Sequence, residues 1–225
     1  MIQKEIIHEN HRRLLLFFAG WAADETPFRH YRPVDSDFTV CYDYRNLTFD
    51  TSRLLGYEEV NIVGWSMGVW AATAIDTLAT LPLNRCVALN GSVFPCDDTR
   101  GIPRAIYYGT LAGLSSPSLH KFLRRMCADS KAFRAFLEIT PRRELEEIGE
   151  ELAGIPLIID TRQREGKSPG AVWKEAVVGR NDRIIPPDNQ ANAWKELGVP
   201  FTMTDDAHYE EPLFRHYLQD AWTNS

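Results

Sequence analysis

Gly64-Trp65-Ser66-Met67-Gly68 is a G-x-S-x-G pattern set directly behind a β-branched run, Val60, Ile62 and Val63. An apolar, alanine-rich stretch follows over residues 69–78. That order restricts the fold sharply. A serine placed between the end of a strand and the start of a helix must sit on a tight, strained turn, and flanking residues without a β-carbon relieve the crowding. Such a turn raises the hydroxyl at the carboxyl edge of a sheet, where another molecule can reach it. A chance Gly-Ser turn would need neither the strand before nor the helix after.

Other strand-like runs lie around this one. Residues 3–8 alternate weakly and are predicted to form an edge strand joined by a hairpin to the next. Core strands are predicted over residues 14–18, 38–42, 60–63, 86–89, 172–178 and 199–203. Helical stretches separate them, so the class is α/β: a mostly parallel sheet with helices on both faces. The 225 residues fit one domain, 1–225. Residues 93–171 are too long for a single crossover. Helical patterns near 118–127, 130–139 and 142–153 predict an inserted helical cap at about 93–155. The polar residues 163–170 read as a surface loop.

Charge and cysteine usage narrow the partners. The net charge of −6 argues against nucleic acid. Cys41, Cys86, Cys96 and Cys127 form no C-x-x-C pair, so they read as reduced thiols rather than a disulfide framework or a zinc site. Arg12-Arg13 followed by an apolar run to Ala23 imitates part of a signal peptide. The charge comes late, however, behind Glu5, Glu9 and Asn10, and the run is too short to cross a bilayer. A strand covered on both faces accounts for it better. The expectation is a cytoplasmic protein with no membrane association.

Serine is a weak nucleophile at neutral pH. It needs a positioned base, and the base needs an orienting acid. In α/β-hydrolases these follow the serine in the order acid, then histidine. His208 lies just past the last predicted strand, at the edge where open α/β sheets hold their ligands. His216 competes, but sits in a terminal helical stretch. Asp182 follows the fifth core strand by a short turn. Asp97, Asp98, Asp160, Asp205 and Asp206 are its rivals. Backbone amides of Met67, after the serine, and of Trp21, after the first core strand, are the candidates to bind an oxyanion, with Gly20 free to aim the latter. This chemistry requires no metal and no organic cofactor.

Several longer strings are more specific than the serine pattern: Phe17-Phe18-Ala19-Gly20-Trp21, Cys41-Tyr42-Asp43-Tyr44, Gly64 through Trp70, Asn90-Gly91-Ser92, Pro95-Cys96-Asp97-Asp98, Gly101-Ile102-Pro103 and Ala207-His208-Tyr209. From about residue 14 to the end, the chain resembles the BioG type of pimeloyl-acyl-carrier-protein methyl ester esterase. The resemblance implies an α/β-hydrolase fold and hydrolysis of the methyl ester of pimeloyl on acyl carrier protein, a late step toward biotin. It implies Ser66 as nucleophile and His208 as base, with Asp182 where the acid belongs.

An acidic carrier protein needs a basic surface. Residues 118–143 carry seven basic residues against two acidic ones in a chain of net −6. Lys121, Arg124, Arg125, Arg134, Arg142 and Arg143 are the docking candidates, and the first three share a helical face. Two other functions remain open from sequence: a broader carboxylesterase or thioesterase acting on small acyl esters, and a non-catalytic binding protein on the same fold.

Overall fold

The computed structural model describes residues 1–167 and 172–222. Among the described residues, seven strands form one sheet: β1 (Ile2–Ile7), β2 (Arg13–Phe18), β3 (Ser36–Tyr42), β4 (Glu59–Trp65), β5 (Leu83–Leu89), β6 (Glu175–Gly179) and β7 (Phe201–Thr204). Their order is β1-β3-β2-β4-β5-β6-β7, with β1 antiparallel and every other pairing parallel. The chain steps outward from β2 to β3, then back across β2 to β4. The carboxyl ends of β2 and β4 therefore flank the point where the strand order reverses, the place such sheets use for a site.

The continuous apolar run 14–18 is buried on both faces. Leu14, Leu16 and Phe18 join one core with Val60, Ile62 and α1 (Met67–Thr73). Leu15 and Phe17 join a second core with Val63, Trp65 and Phe214 of α7 (Glu211–Leu218). Alternate side chains of one strand thus fill two layers. No helix among the described residues is long and apolar enough to cross a membrane.

The first strand corrects one expectation. It is an edge strand, but it pairs with β3, not by a hairpin with β2. The turn after it is held to β3: Asp37 Oδ1 accepts the Glu9 N–H at 2.9 Å and the His11 N–H at 3.4 Å. That leaves both edges of β2 free for its parallel neighbours β3 and β4.

Among the described residues, four helices stand between β5 and β6: α2 (Arg104–Ala112), α3 (Ser116–Met126), α4 (Ser130–Leu137) and α5 (Leu145–Arg164). The sequence patterns pointed to α3, α4 and the first half of α5 but not to α2. Helix α5 also runs on through Pro156. Residues 163 and 164 therefore end a helix rather than open a loop, and 168–170 of the expected loop lie outside the described residues. Helix α6 (Pro187–Leu197) lies between β6 and β7.

A buried ion cluster ties α5 to the end of β3. Arg143 reaches Glu151 at 2.5 Å and Asp43 at 3.2 Å, and the three side chains are 5%, 0% and 7% exposed. Arg45 adds contacts from Asp43 to Glu147 and Glu150 at the rim. Burial pushes the Glu151 carboxyl up, against the pull of Arg143. Burial acts the same way on Asp43, but hydrogen bonding to Arg45 and the charge of Arg143 hold it below the usual carboxylate range. Removing the shared cation leaves the buried Glu151 carboxylate without its charged partner, while Asp43 keeps Arg45. Arg143→Met is therefore expected to cost about 3–5 kcal/mol, read as a lowered midpoint in urea. Adding Glu151→Gln to that variant should recover part of the loss, because the uncompensated charge is gone.

Candidate active site

Ser66 joins β4 to α1 with φ 57° and ψ −122°, a conformation that costs energy for any residue with a β-carbon. The surroundings enforce it. The Ser66 N–H donates to Leu89 O at 3.1 Å. A β-carbon at Gly68 would run into the carbonyl groups of Phe18 and Ala19, so only glycine lets α1 start this close to the end of β2. At Gly64 a β-carbon would meet the ring of Trp173.

His208 and Asp182 come to this serine from two other strand ends. His208 Nε2 lies 3.0 Å from Ser66 Oγ. His208 Nδ1 lies 2.8 Å from Asp182 Oδ2. The three residues are 6%, 1% and 5% exposed. Asp182 is itself held by donors: its Oδ1 accepts the N–H groups of Ile184 (2.7 Å) and Ile185 (3.0 Å), and its Oδ2 accepts Gln190 Nε2 at 2.8 Å. Every hydrogen-bond position of the carboxylate faces a donor, which suits an ionised acid.

The rivals lie elsewhere. Asp97 is engaged by Arg100 at 2.8 Å and by the amides of Thr99 and Arg100. Hydrogen bonding to Arg100 holds its carboxyl far below the usual range. Asp98 is taken by the Arg104 N–H and Asp205 by Arg180. His216 is exposed on α7 against Tyr217. Burial pushes the Cys86 and Cys127 thiols up to about 11, so neither competes as a nucleophile.

Three residues that the sequence reading missed hold the loops together. Asn90, fully buried at the end of β5 with φ 44°, donates to Ala207 O (2.8 Å) and His208 O (3.2 Å) and accepts the Gly179 N–H (2.7 Å). One amide thus joins the ends of β5, β6 and β7. Trp65 Nε1 donates to His208 O at 2.8 Å. Gln190 braces Asp182. Asn90 and Trp65 lie within strings the sequence singles out, but Gln190 carries no such signal.

Trp21 follows β2, and its N–H and that of Met67 have no hydrogen-bond partner among the described residues. A cavity of about 50 Å³ opens beside Ser66, walled by Trp21, Met67, Ile102, Tyr107, Phe122 and Arg125, with other residues at its edge. Trp21, Thr110, Phe122 and Arg125 are shared with an outer groove of about 180 Å³ that Lys121 also lines. A separate cleft of about 280 Å³ near Trp70, Asp97 and Arg162 does not include Ser66.

Of the predicted docking residues, Lys121, Arg124 and Arg125 on α3, Arg134 on α4 and Arg142 beyond it are exposed. Arg143 is not part of that surface. Its side chain is consumed by Glu151 and Asp43 and is only 5% exposed. Arg125 differs from Arg124 as well, because it walls the cavity at Ser66.

Comparison with known proteins places the chain. A family model described as pimeloyl-ACP methyl esterase BioG matches residues 2–220. The chain is 47% identical over 211 residues to a malonyl-[acyl-carrier protein] O-methyltransferase of Bacteroides fragilis. That match covers 93% of this chain and 42% of the relative, so the chain spans less than half of that protein's length. The crystal structure of BioG from Haemophilus influenzae superposes with a TM-score of 0.83 at 34% identity, covering 96% of this chain and 98% of that one. An alpha/beta hydrolase from a Medee basin deep-sea metagenome superposes with a TM-score of 0.60 at 12% identity over 96% of this chain and 91% of that one, a likeness of fold alone. Matched over residues 2–220 by the family model and over nearly its whole length by a solved member, the chain belongs to the BioG family of pimeloyl-ACP methyl esterases and has the α/β-hydrolase fold.

Proposed function

We propose that this protein is a serine esterase that hydrolyses the methyl ester of pimeloyl-acyl carrier protein, yielding pimeloyl-acyl carrier protein and methanol in biotin synthesis. The observation that carries the reading is the relay Asp182–His208–Ser66, with contacts of 2.8 Å and 3.0 Å, beside the Trp21 and Met67 amides, which have no hydrogen-bond partner among the described residues.

The steps follow from that arrangement. Ser66 Oγ attacks the ester carbonyl while His208 Nε2 takes its proton. The carbonyl oxygen becomes an oxyanion and is bound by the N–H groups of Trp21 and Met67. Asp182 keeps the imidazole in the tautomer that presents a free Nε2 and stabilises its charged form. The intermediate collapses, the C–O bond to the methoxy group breaks, and His208 returns the proton to the departing methanol. Water then attacks the acyl-serine while His208 takes its proton, the bond from the carbonyl carbon to Ser66 Oγ breaks, His208 returns the proton to Ser66 Oγ, and the free carboxylic acid leaves.

The family supports the substrate, and so does a complementary activity. The Bacteroides fragilis relative is named for placing a methyl group on malonyl-acyl carrier protein. An ester installed on a carrier-bound dicarboxylate is the group this site would remove. The basic faces of α3 and α4 supply a contact for an acidic carrier, with Lys121, Arg124, Arg125, Arg134 and Arg142 as its members. Arg124 and Arg134 test this best, because neither walls the cavity.

Arg124→Glu/Arg134→Glu is expected to weaken turnover of the carrier-bound ester roughly tenfold or more, mainly through KM and association rate. Added salt should slow the wild-type enzyme on that substrate, since exposed charges are screened beyond ~10 Å at 0.1 M. A small chromogenic ester should be hydrolysed at the normal rate in both cases. Equal losses on both substrates would assign these arginines to the fold, and no loss on either would remove the carrier from the proposal.

A further inference from the structure

Two hydrogen-bonded paths lead from α5 to the loop that holds the Trp21 amide. The first begins at Glu151, which is fully buried. Its Oε1 accepts the Tyr44 N–H at 2.8 Å, and its Oε2 accepts Arg143 Nη1 at 2.5 Å. Tyr44, also fully buried, turns its hydroxyl to Ala19 O at 2.7 Å and Cys41 O at 3.0 Å. The second path is shorter: the indole N–H of Trp21 donates to Ile148 O of α5 at 2.9 Å.

These two anchors bracket the critical amide. Ala19 O belongs to the peptide plane just before the Gly20–Trp21 plane, and the latter carries the Trp21 N–H. Between them stands Gly20, the residue with the least backbone restraint. A donor that hangs on a glycine is aimed only if the planes around it are fixed. The loop also contains strain, since Ala22 has φ 63°. Such a conformation persists only where its neighbours over-determine it.

The chemistry of the anchor is informative. A buried ion pair is a poor way to add stability, because apolar residues of equal volume do as well or better. A charged acceptor does, however, hold a backbone N–H in a shorter and stronger bond than a neutral one. We propose that Tyr44 and Glu151 are positioning residues for the oxyanion site: Glu151 fixes Tyr44, and the Tyr44 hydroxyl fixes the Ala19–Gly20 plane so that the Trp21 amide faces the reacting oxygen. This rests on the reading of Ser66 as the nucleophile.

Tyr44→Phe removes the hydroxyl and little else. With a small chromogenic ester, kcat should fall about tenfold, a fraction of the 10²–10³ that accompanies loss of a whole oxyanion donor. KM should stay within about twofold, because the interaction strengthens only as charge develops. Affinity for a trifluoromethyl ketone, which adds to Ser66 and places a negative oxygen at the oxyanion site, should drop by the same factor as kcat. The pH profile of kcat should keep its shape, since His208 and Asp182 are untouched.

A purely structural role would not move ketone affinity in step with kcat. Unchanged kcat in Tyr44→Phe, or a fall in kcat without a matching fall in ketone affinity, overturns the proposal. If Tyr44→Phe does not fold, Glu151→Gln decides by the same comparison: parallel losses support the proposal and unchanged values overturn it. Wild-type protein that resists labelling at Ser66 by a fluorophosphonate sinks the nucleophile reading and this inference with it. A labelled wild type beside an unaffected Tyr44→Phe sinks this inference alone.

Discussion

Ser66→Ala is expected to lower ester turnover by on the order of 10⁶ and to leave the protein folded. The size follows from the role proposed for the hydroxyl, whose oxygen would form the covalent bond, with no substitute nucleophile beside it. Burial holds the Cys86 and Cys127 thiols near 11, and no other histidine and no acid lines the cavity beside Ser66. The fold should survive because the turn is enforced by its neighbours, above all the contact of Gly68 with the end of β2, rather than by the hydroxyl. Alanine at the same φ of 57° carries the strain that serine already carried. His208→Ala should cost nearly as much, and the double variant little more, because residues that act as a unit do not lose activity additively. Steady-state kinetics with an unfolding curve for each variant is the check. Near-normal turnover by Ser66→Ala would end the serine mechanism.

Asp182→Asn should cost on the order of 10⁴ in kcat, the scale set when the acid of a serine-protease triad is made an amide. The hydrogen bonds here give the reason. Both carboxylate oxygens meet only donors: Ile184 and Ile185 on Oδ1, Gln190 and His208 on Oδ2. An asparagine must turn its own NH₂ toward one of those pairs. Facing two backbone amides is the worse choice, since neither can reverse its role. The NH₂ then points at His208, which answers by presenting a bare Nδ1 and keeping its proton on Nε2. That tautomer cannot accept the Ser66 proton. Asp97→Asn and Asp98→Asn should change kcat little, because both carboxylates are bound within their own loop. A larger loss at either than at Asp182 would move the acid to the loop after β5.

How far the sequence reaches can be judged at particular residues. The order Ser66, Asp182, His208 was legible because each follows an apolar strand, and strand ends in a parallel sheet converge on one edge. The two-faced burial of residues 14–18 was legible from its unbroken apolar run. Pairing was not: β1 and β2 are neighbours in sequence, yet β3 takes β1's edge, and the Asp37 contacts that decide it are 26 and 28 residues apart. Helix α2 hides because Tyr107 is its one fully buried residue, which leaves no 3.6-residue stripe to read. The helical pattern read over 142–153 stops short of Pro156, which α5 accommodates within its length. Arg143 misled because a count of charges cannot tell a solvated guanidinium from one that a distant Glu151 and Asp43 have already claimed.

The staple at Asn90 has a consequence for when this site comes into being. Its amide spans 117 residues to Ala207, and Ser66 meets His208 across 142. None of these contacts is local, so no early fragment of the chain holds a rudimentary version of the centre. During synthesis from the amino terminus the strained elbow can be made first, but it waits, without its base, until the last strand has left the ribosome and docked. Under the proposed mechanism, hydrolysis is an all-or-none certificate of assembly: a chain that reacts has closed its sheet from β2 to β7.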